Sequence, residues 1–441
     1  MRTLLSRSAA AAFMASSFAA PALQAAPNVV LLFCDDMGYA DVSCQGAKYP
    51  TPNLDKLADE GTRFTRFYVP HPVCSPSRAA ILTGCYSQRF GINWAIRPGA
   101  KTGLKSSVPT LPSLMKKQGY ATGMFGKWHI GEQPDMTPIA HGFDQWIGTI
   151  VSHDYNKGKI PLINGKDNSV IIEEPTPAEL TRRCTDGALK FLDENAKKNF
   201  FLYVPYNLPH VPLGVSDKNK GSSKRGLYGD TMKDIDDSVG EILAKIDKLD
   251  LRDNTIVIFT SDNGPWLRYG NHSGAALPLR QGKGTIYEGG IRMPFFIRWP
   301  GKIPAKRIND APLSSIDLLP SLAEPVGYPV PKVVDGHNLW PLLTGKAQAN
   351  DDTVYWFSYG GPVQAVSQGK WKLILPHETQ VYDPAKYGKD GGEGTVSRRK
   401  ITSPELYDLS EDVGEKKDLS KKNPEVVKKL QELAQQRPWK K

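Results

Sequence analysis

Cysteine is scarce: the five in the 441-residue chain, at positions 34, 44, 74, 85 and 184, are too few for a disulfide-built scaffold. Their odd number leaves at least one thiol unpaired in an oxidising compartment. No Cys-x-x-Cys or Cys/His pattern stands at zinc spacing, which argues against a structural zinc site. After the first segment no apolar run reaches the roughly eighteen residues that a membrane-spanning helix needs. There is no internal repeat, no nucleic-acid-binding motif and no composition typical of disorder.

What is there begins with Arg2 and Arg7, an apolar stretch rich in Ala, Phe, Met and Leu, and small residues around 20–26. That is the layout of a secretory signal peptide, read here as residues 1–26 with cleavage between 22 and 26. No cysteine near that point offers a lipid anchor, so the expected destination is the periplasm or the exterior. The formal charge of +10 becomes +8 once Arg2 and Arg7 leave, and most basic residues are interspersed with acids. The densest basic stretch, 415–441, carries Val426, Val427, Leu430, Leu433 and Ala434 at helical spacing and reads as a solvated amphipathic terminal helix. A basic surface also steers polyanionic substrates.

Organisation follows from hydrophobic runs. Asn28-Val-Val-Leu-Leu-Phe-Cys34 is continuously apolar, as in a strand buried on both faces, and it ends on Asp35-Asp36. The runs 255–260 and 200–206 behave alike, delivering Asp262-Asn263-Gly264 and then Asn207 and His210. Helical patterns near 53–60, 79–84, 111–118 and 228–249 alternate with them, which predicts an α/β domain with a mostly parallel sheet flanked by helices. Ligand sites in such sheets lie at the carboxyl ends of strands. From about Ile316 the pattern changes to Pro-rich connections and the strand-like runs 353–358, 364–367 and 370–375, a small antiparallel sheet. Residues 386–403, rich in Gly, Lys and Arg, read as a long exposed loop. The expected division is 27–325 for the catalytic domain and 326–441 for a smaller C-terminal α+β subdomain.

Asp35, Asp36, Asp262 and Asn263 offer four oxygen-bearing side chains at two strand ends, a donor set suited to a hard cation such as Ca²⁺ or Mg²⁺. Either pair alone is equally a helix cap or a turn; the joint context points to the metal. Arg78, Lys127, His129, His210 and Lys283 each lie near glycine, proline or a strand end, and clustered beside a cation they describe a pocket for a tetrahedral oxyanion. In Gly126-Lys127-Trp128-His129, alternation sets Lys127 and His129 on one face. Glycines flank Lys283, which allows a ligand close to the backbone. Cys74-Ser75-Pro76-Ser77-Arg78 precedes the helical run 78–83, putting residue 74 near that helix's positive end.

These motifs, with Thr83-Gly84, Ser261-Asp262-Asn263-Gly264, Gly282-Lys283-Gly284, Glu288-Gly289-Gly290-Ile291-Arg292-Met293-Pro294 and Glu405-Leu-Tyr-Asp-Leu-Ser410, resemble the formylglycine-dependent sulfatases. The likeness is to their arylsulfatase-like branch and spans nearly the whole mature chain. It implies an alkaline-phosphatase-like fold and a nucleophile made by a maturation enzyme that oxidises Cys74 to formylglycine (3-oxoalanine). It further implies one Ca²⁺ held by Asp35, Asp36, Asp262, Asn263 and the modified Cys74. Arg78, Lys127, His129, His210 and Lys283 would grip the sulfate, with His210 and Lys283 nearest the leaving oxygen. A hydrated aldehyde offers two hydroxyls, one to attack sulfur and one to expel sulfate, which serine or cysteine cannot do.

The implied substrate is an O-sulfated carbohydrate, with sulfated galactose or N-acetylgalactosamine as the expected unit. Arg268, Asn271 and His272 in the loop 266–279, with His153 beside Ser152 and Asp154, are the candidate sugar-reading residues. Competing readings are a phosphonate monoesterase or phosphatase of the same superfamily, and an inactive carbohydrate-binding relative. A two-zinc phosphatase needs histidine ligands that the eight histidines are not arranged to provide.

Overall fold

The computed structural model describes residues 26–166 and 169–440. The signal-peptide reading of 1–26 lies, but for its last residue, outside that range. An eleven-stranded sheet forms the centre. Its strands are β1 (Asn28–Cys34), β2 (Thr62–Tyr68), β3 (Ala121–Phe125), β4 (Gln145–Gly148), β5 (Leu162–Asn164), β6 (Ser169–Ile172), β7 (Phe200–Pro205), β8 (Thr255–Ser261), β9 (Arg292–Arg298), β10 (Arg307–Asn309) and β11 (Leu313–Ser314). They run in the order β10-β2-β9-β8-β1-β7-β3-β4-β5-β6, with β11 also on β2. The middle, β8-β1-β7-β3-β4, is parallel throughout, and β9 runs antiparallel to both of its neighbours.

The continuous apolar runs have the expected cause. Along β1, Val29, Leu31 and Phe33 enter one core and Val30, Leu32 and Cys34 the other, so every residue of the strand is buried. Helices α1 (Pro52–Asp59), α4 (Pro177–Asn195) and α5 (Leu227–Lys248) cover the face of Val30, while α2 (Cys74–Thr83) and α3 (Leu111–Lys117) cover the face of Val29. The sequence reading missed α4, although its start is marked: Thr176 and Glu179 form a reciprocal capping box around Pro177. It also began α2 too late. The helix opens at Cys74 itself, with Pro76 tolerated in the first turn, where no intrahelical N–H bond is lost.

A second, antiparallel sheet holds β12 (Val354–Ser358), β13 (Val363–Gln368), β14 (Trp371–Ile374) and β17 (Glu405–Asp408) in that order, and β15 (His377–Val381) pairs with β16 (Ser397–Ile401). The helix Pro424–Gln435 buries Leu430 and Ala434 against Val366, Leu373 and Leu406, so its apolar stripe docks on this sheet. The stretch 386–403 is not a free loop. Part of it is β16, and Gly388 and Gly394 both donate their N–H groups to the Arg268 carbonyl, at 2.8 and 2.9 Å. All five cysteines are free thiols, and no helix among the described residues is long and apolar enough to cross a membrane.

Candidate active site

Register builds the centre of the site. β1 and β8 are adjacent and parallel with Cys34 opposite Ser261, so the next residues of each chain, Asp35-Asp36 and Asp262-Asn263, emerge side by side. Asp36 takes a left-handed conformation, φ 61°, which an aspartate tolerates better than most residues. Its N–H donates to Asp262 Oδ1 at 3.0 Å, and Asn263 Nδ2 donates to Asp36 Oδ1 at 2.7 Å. All four side chains are buried.

Three cations answer the three carboxylates. Arg78, one turn beyond Cys74 on α2, donates through Nε and Nη2 to Asp262 Oδ2 at 3.1 and 2.9 Å and lies 3.5 Å from Asp35 Oδ2. Lys127, just past β3, donates to Asp35 Oδ2 and, at 2.8 Å, to Ser152 Oγ. Lys283 reaches Asp36 Oδ1 at 2.7 Å and passes over the Trp266 ring, 4.3 Å from its centroid. Glycine at 282 serves a different end from the one its sequence suggests. A Cβ there would stand 2.3 Å from the Pro265 carbonyl oxygen, so the residue lets two backbones meet and fixes Lys283, whose N–H donates to that same carbonyl.

The balance is incomplete in one respect. Asp35 Oδ1 and Asn263 Oδ1 are buried and have no hydrogen-bond partner. Burial, then the charges of Asp35 and Asp36, push the Asp262 carboxyl up to about 8; for Asp35 burial acts the same way, but Lys127 and Arg78 hold it well below the usual carboxylate range. Oxygen donors in excess of their partners fit a hard divalent cation, which would neutralise the acids and take up both orphaned oxygens.

Cys74 faces this cluster from the first position of α2. Ligand atoms of Asp35, Asp36, Cys74 and His210 all lie within 4.8 Å of one another. Burial pushes the thiol up to about 12, so as cysteine it carries almost no thiolate at neutral pH. The two histidines differ. His210 directs Nδ1 at the Val211 carbonyl, which holds the proton there, and leaves Nε2 3.4 Å from Asp36 Oδ2. His129 spends its Nε2–H on the Ile96 carbonyl at 2.9 Å, and its Nδ1 is buried without a partner. Burial and then Lys127 and Arg78 hold its pKa well below the usual value. It is therefore neutral, and its free nitrogen accepts a hydrogen bond where the sequence reading expected a grip on an anion.

A cavity of about 480 Å³ opens over the cluster and contains Cys74, His129, His210 and Lys283 in its wall. Of the candidate sugar-reading residues, Arg268 reaches it, held by an ion pair to Glu393 at 2.7 Å, and so do Ser152 and Asp154. Asn271 and His272 stand outside. The Asn271 amide makes two 2.8 Å bonds with Asp390, and His272 lies against Gly391, because the loop 266–279 packs on the segment that was expected to be free. His153 is buried behind His210, its ring 5.7 Å away, with Nε2 on the Pro212 carbonyl. Trp94, Arg97, Tyr155, Tyr359, Gln380 and Tyr382 also stand in the wall and were not anticipated. They come from separate segments and no local pattern marks them.

Fold and site together define a hydrolase of the alkaline-phosphatase-like architecture, with its chemistry at the strand ends of a mixed sheet. The model of the sulfatase family matches residues 27–328, and one described as N-sulphoglucosamine sulphohydrolase, C-terminal, matches 281–388. The chain is 36% identical to arylsulfatase A of Homo sapiens, with 92% of this chain and 87% of that protein covered. It is 34% identical to N-acetylgalactosamine-6-sulfatase of Canis lupus familiaris, covering 92% and 84%. The crystal structure of Ps i-CgsB in complex with k-i-k-neocarrahexaose matches with a TM-score of 0.81 at 29% identity, over 94% of this chain and 93% of that one. This protein belongs to the sulfatase family and is a sulfuric ester hydrolase.

Proposed function

We propose that this sulfatase is exported and removes O-sulfate groups from sulfated galactose or N-acetylgalactosamine units of glycans, with formylglycine made from Cys74 by a maturation enzyme. The names of its relatives support a carbohydrate substrate, one being an N-acetylgalactosamine-6-sulfatase and one a protein crystallised with a neocarrahexaose. The observation that carries the chemistry is Cys74: a thiol held near 12 is a poor nucleophile, yet it stands beside the acidic cluster and shares a cavity wall with His129, His210 and Lys283.

When formed, the hydrated aldehyde supplies one hydroxyl for attack on sulfur and a second for release of sulfate. Asp35, Asp36, Asp262 and Asn263, with the modified residue 74, would hold Ca²⁺, which supplies Lewis-acid polarisation. Lys127, Lys283 and Arg78 offset charge on the group being transferred. His129, neutral and with Nδ1 open, is suited to take a hydroxyl proton at residue 74. His210 and Lys283 line the cavity; Lys283 Nζ donates to the departing sugar oxygen, and His210, whose ring proton stands on Nδ1, does so from Nε2 only as the imidazolium. The leader expected in residues 1–26 supports delivery to the periplasm or the medium.

Intact-mass analysis of the peptide bearing residue 74, run beside a panel of regiodefined sulfated sugars and matched phosphate esters, is the test. Formylglycine together with sulfate release is expected; an unmodified thiol in an active preparation, or phosphate released in preference to sulfate, would overturn the proposal. Replacing Cys74 by Ala should lower sulfate release by more than about 10³-fold.

A further inference from the structure

The rim of the cavity includes a loop whose exposed side chains play no part in the chemistry at residue 74. Ile96, buried within it, donates its N–H to Ser75 Oγ at 2.9 Å, directly beside Cys74, and its carbonyl accepts from His129 at 2.9 Å. The loop is thereby fixed to both the nucleophile helix and a site histidine. It brings Trp94 and Arg97 into the cavity wall.

Trp94 is 55% exposed, unusual for so large an apolar side chain. Tyr359 supports it edge-on, with ring centroids 4.9 Å apart, and Gly360 lies so close that a Cβ there would stand 2.5 Å from the indole. An indole backed on one side and open on the other is a platform for the apolar face of a pyranose. Arg97 is exposed and forms no ion pair among the described residues. Asp154, in the same wall, keeps Oδ1 buried and without a hydrogen-bond partner. A carboxylate oxygen so placed gains most from a donor that enters the cavity, as a sugar hydroxyl would.

Resting on the sulfatase reading of the site, we infer that this cavity is a subsite for a multiply charged saccharide. Trp94 stacks on the ring that bears the scissile sulfate, and Asp154 accepts from one of its hydroxyls. Arg97 pairs with a second anionic group, a sulfate or a uronate carboxylate, on the neighbouring sugar. These residues set specificity and touch no reacting atom.

Calorimetric titration of the full-length Cys74→Ala variant tests this without turnover. The probes are a singly sulfated galactose and two disaccharides that add either a second sulfate or a uronate. At least one disaccharide should bind about tenfold more tightly than the monosaccharide, and the one that does identifies the second group. Adding Arg97→Gln should abolish that gain. Adding Trp94→Ala should weaken all ligands about tenfold, and Trp94→Tyr should restore most of the loss, which separates stacking from misfolding. Equal affinity for the three probes, a preference that survives Arg97→Gln, or affinities unmoved by Trp94→Ala would each overturn the inference. Sulfate release by the wild type reports separately on the proposed function: an active enzyme that shows no preference sinks the subsite alone.

Discussion

Two clusters of buried charge stand in this molecule, and they differ in what they leave undone. In the first, Asp35, Asp36 and Asp262 meet Arg78, Lys127 and Lys283. In the second, Lys372 on β14 lies 2.9 Å from Glu288 and 2.8 Å from Glu415, while Arg292 and Tyr68 reach the other Glu288 oxygen at 3.4 and 3.0 Å. Both are buried, and both match acids with an equal number of bases. The first lies beneath the cavity that has Cys74 in its wall and leaves Asp35 Oδ1 and Asn263 Oδ1 with neither a hydrogen bond nor an ion pair, whereas in the second the one oxygen without a hydrogen bond, Glu415 Oε1, is held by the ion pair to Lys372. The second ties the antiparallel sheet to the segment after Lys283, with Glu415 at the wall of a separate cavity. Buried charge alone does not mark a functional site; unsatisfied donors or acceptors with access to a ligand do.

Breaking the first cluster should cost activity most. Asp262→Asn removes the negative charge from a proposed cation ligand and from the partner of Arg78, and sulfate release is expected to fall by about 10²- to 10³-fold. Calcium should raise the melting temperature of the wild type and have a much smaller effect on this variant. A calcium-induced shift of equal size in both proteins would mean that the ion binds elsewhere.

Breaking the second should cost stability. Lys372→Met strands two buried carboxylates, and denaturant unfolding should report a loss of about 3–5 kcal/mol. This cluster is also pH-dependent. Burial, then the charge of Glu288, raises Glu415 from its ordinary value to about 7. The folded state therefore holds that proton more tightly than the unfolded chain. The resulting stability is fully present below the unfolded pKa and is lost as pH rises through about 7. Glu288 is shifted the other way and loses its contribution only under more acidic conditions. Melting temperature should thus fall between about pH 5 and 8, and Glu415→Gln should flatten that slope. An unchanged slope in the variant would place the pH dependence elsewhere.

The smallest effect is expected at the contact that looks functional in sequence and is structural in space. His272→Ala should alter kcat/KM on sulfated sugars by less than about twofold, because His272 stands outside the cavity. A larger change confined to KM would restore the recognition role suggested by its position in the loop.

The acids at the ends of β1 and β8 were legible because an apolar run that stops on Asp-Asp or Asp-Asn-Gly announces a strand end. Helix α4 carried a readable capping box that went unused. Asn271 and His272 were placed beside the ligand on chain proximity to Lys283, whereas hydrogen bonds to 388–394 turned their loop away. Trp94 and Tyr359 were invisible for the opposite reason: they are far apart in sequence and meet only when the antiparallel sheet docks beside α2.

Local periodicity, strand-end acids and the Cys-x-Pro-x-Arg segment are properties of consecutive residues, and these the sequence determined by itself: the mostly parallel sheet, the small second sheet, and the residues facing residue 74. Packing between distant segments decided the rest. It fixed which histidine nitrogen is free, which buried charges stay open to a ligand, and which aromatic rings wall the cavity, because each of these depends on partners that the chain order does not bring together.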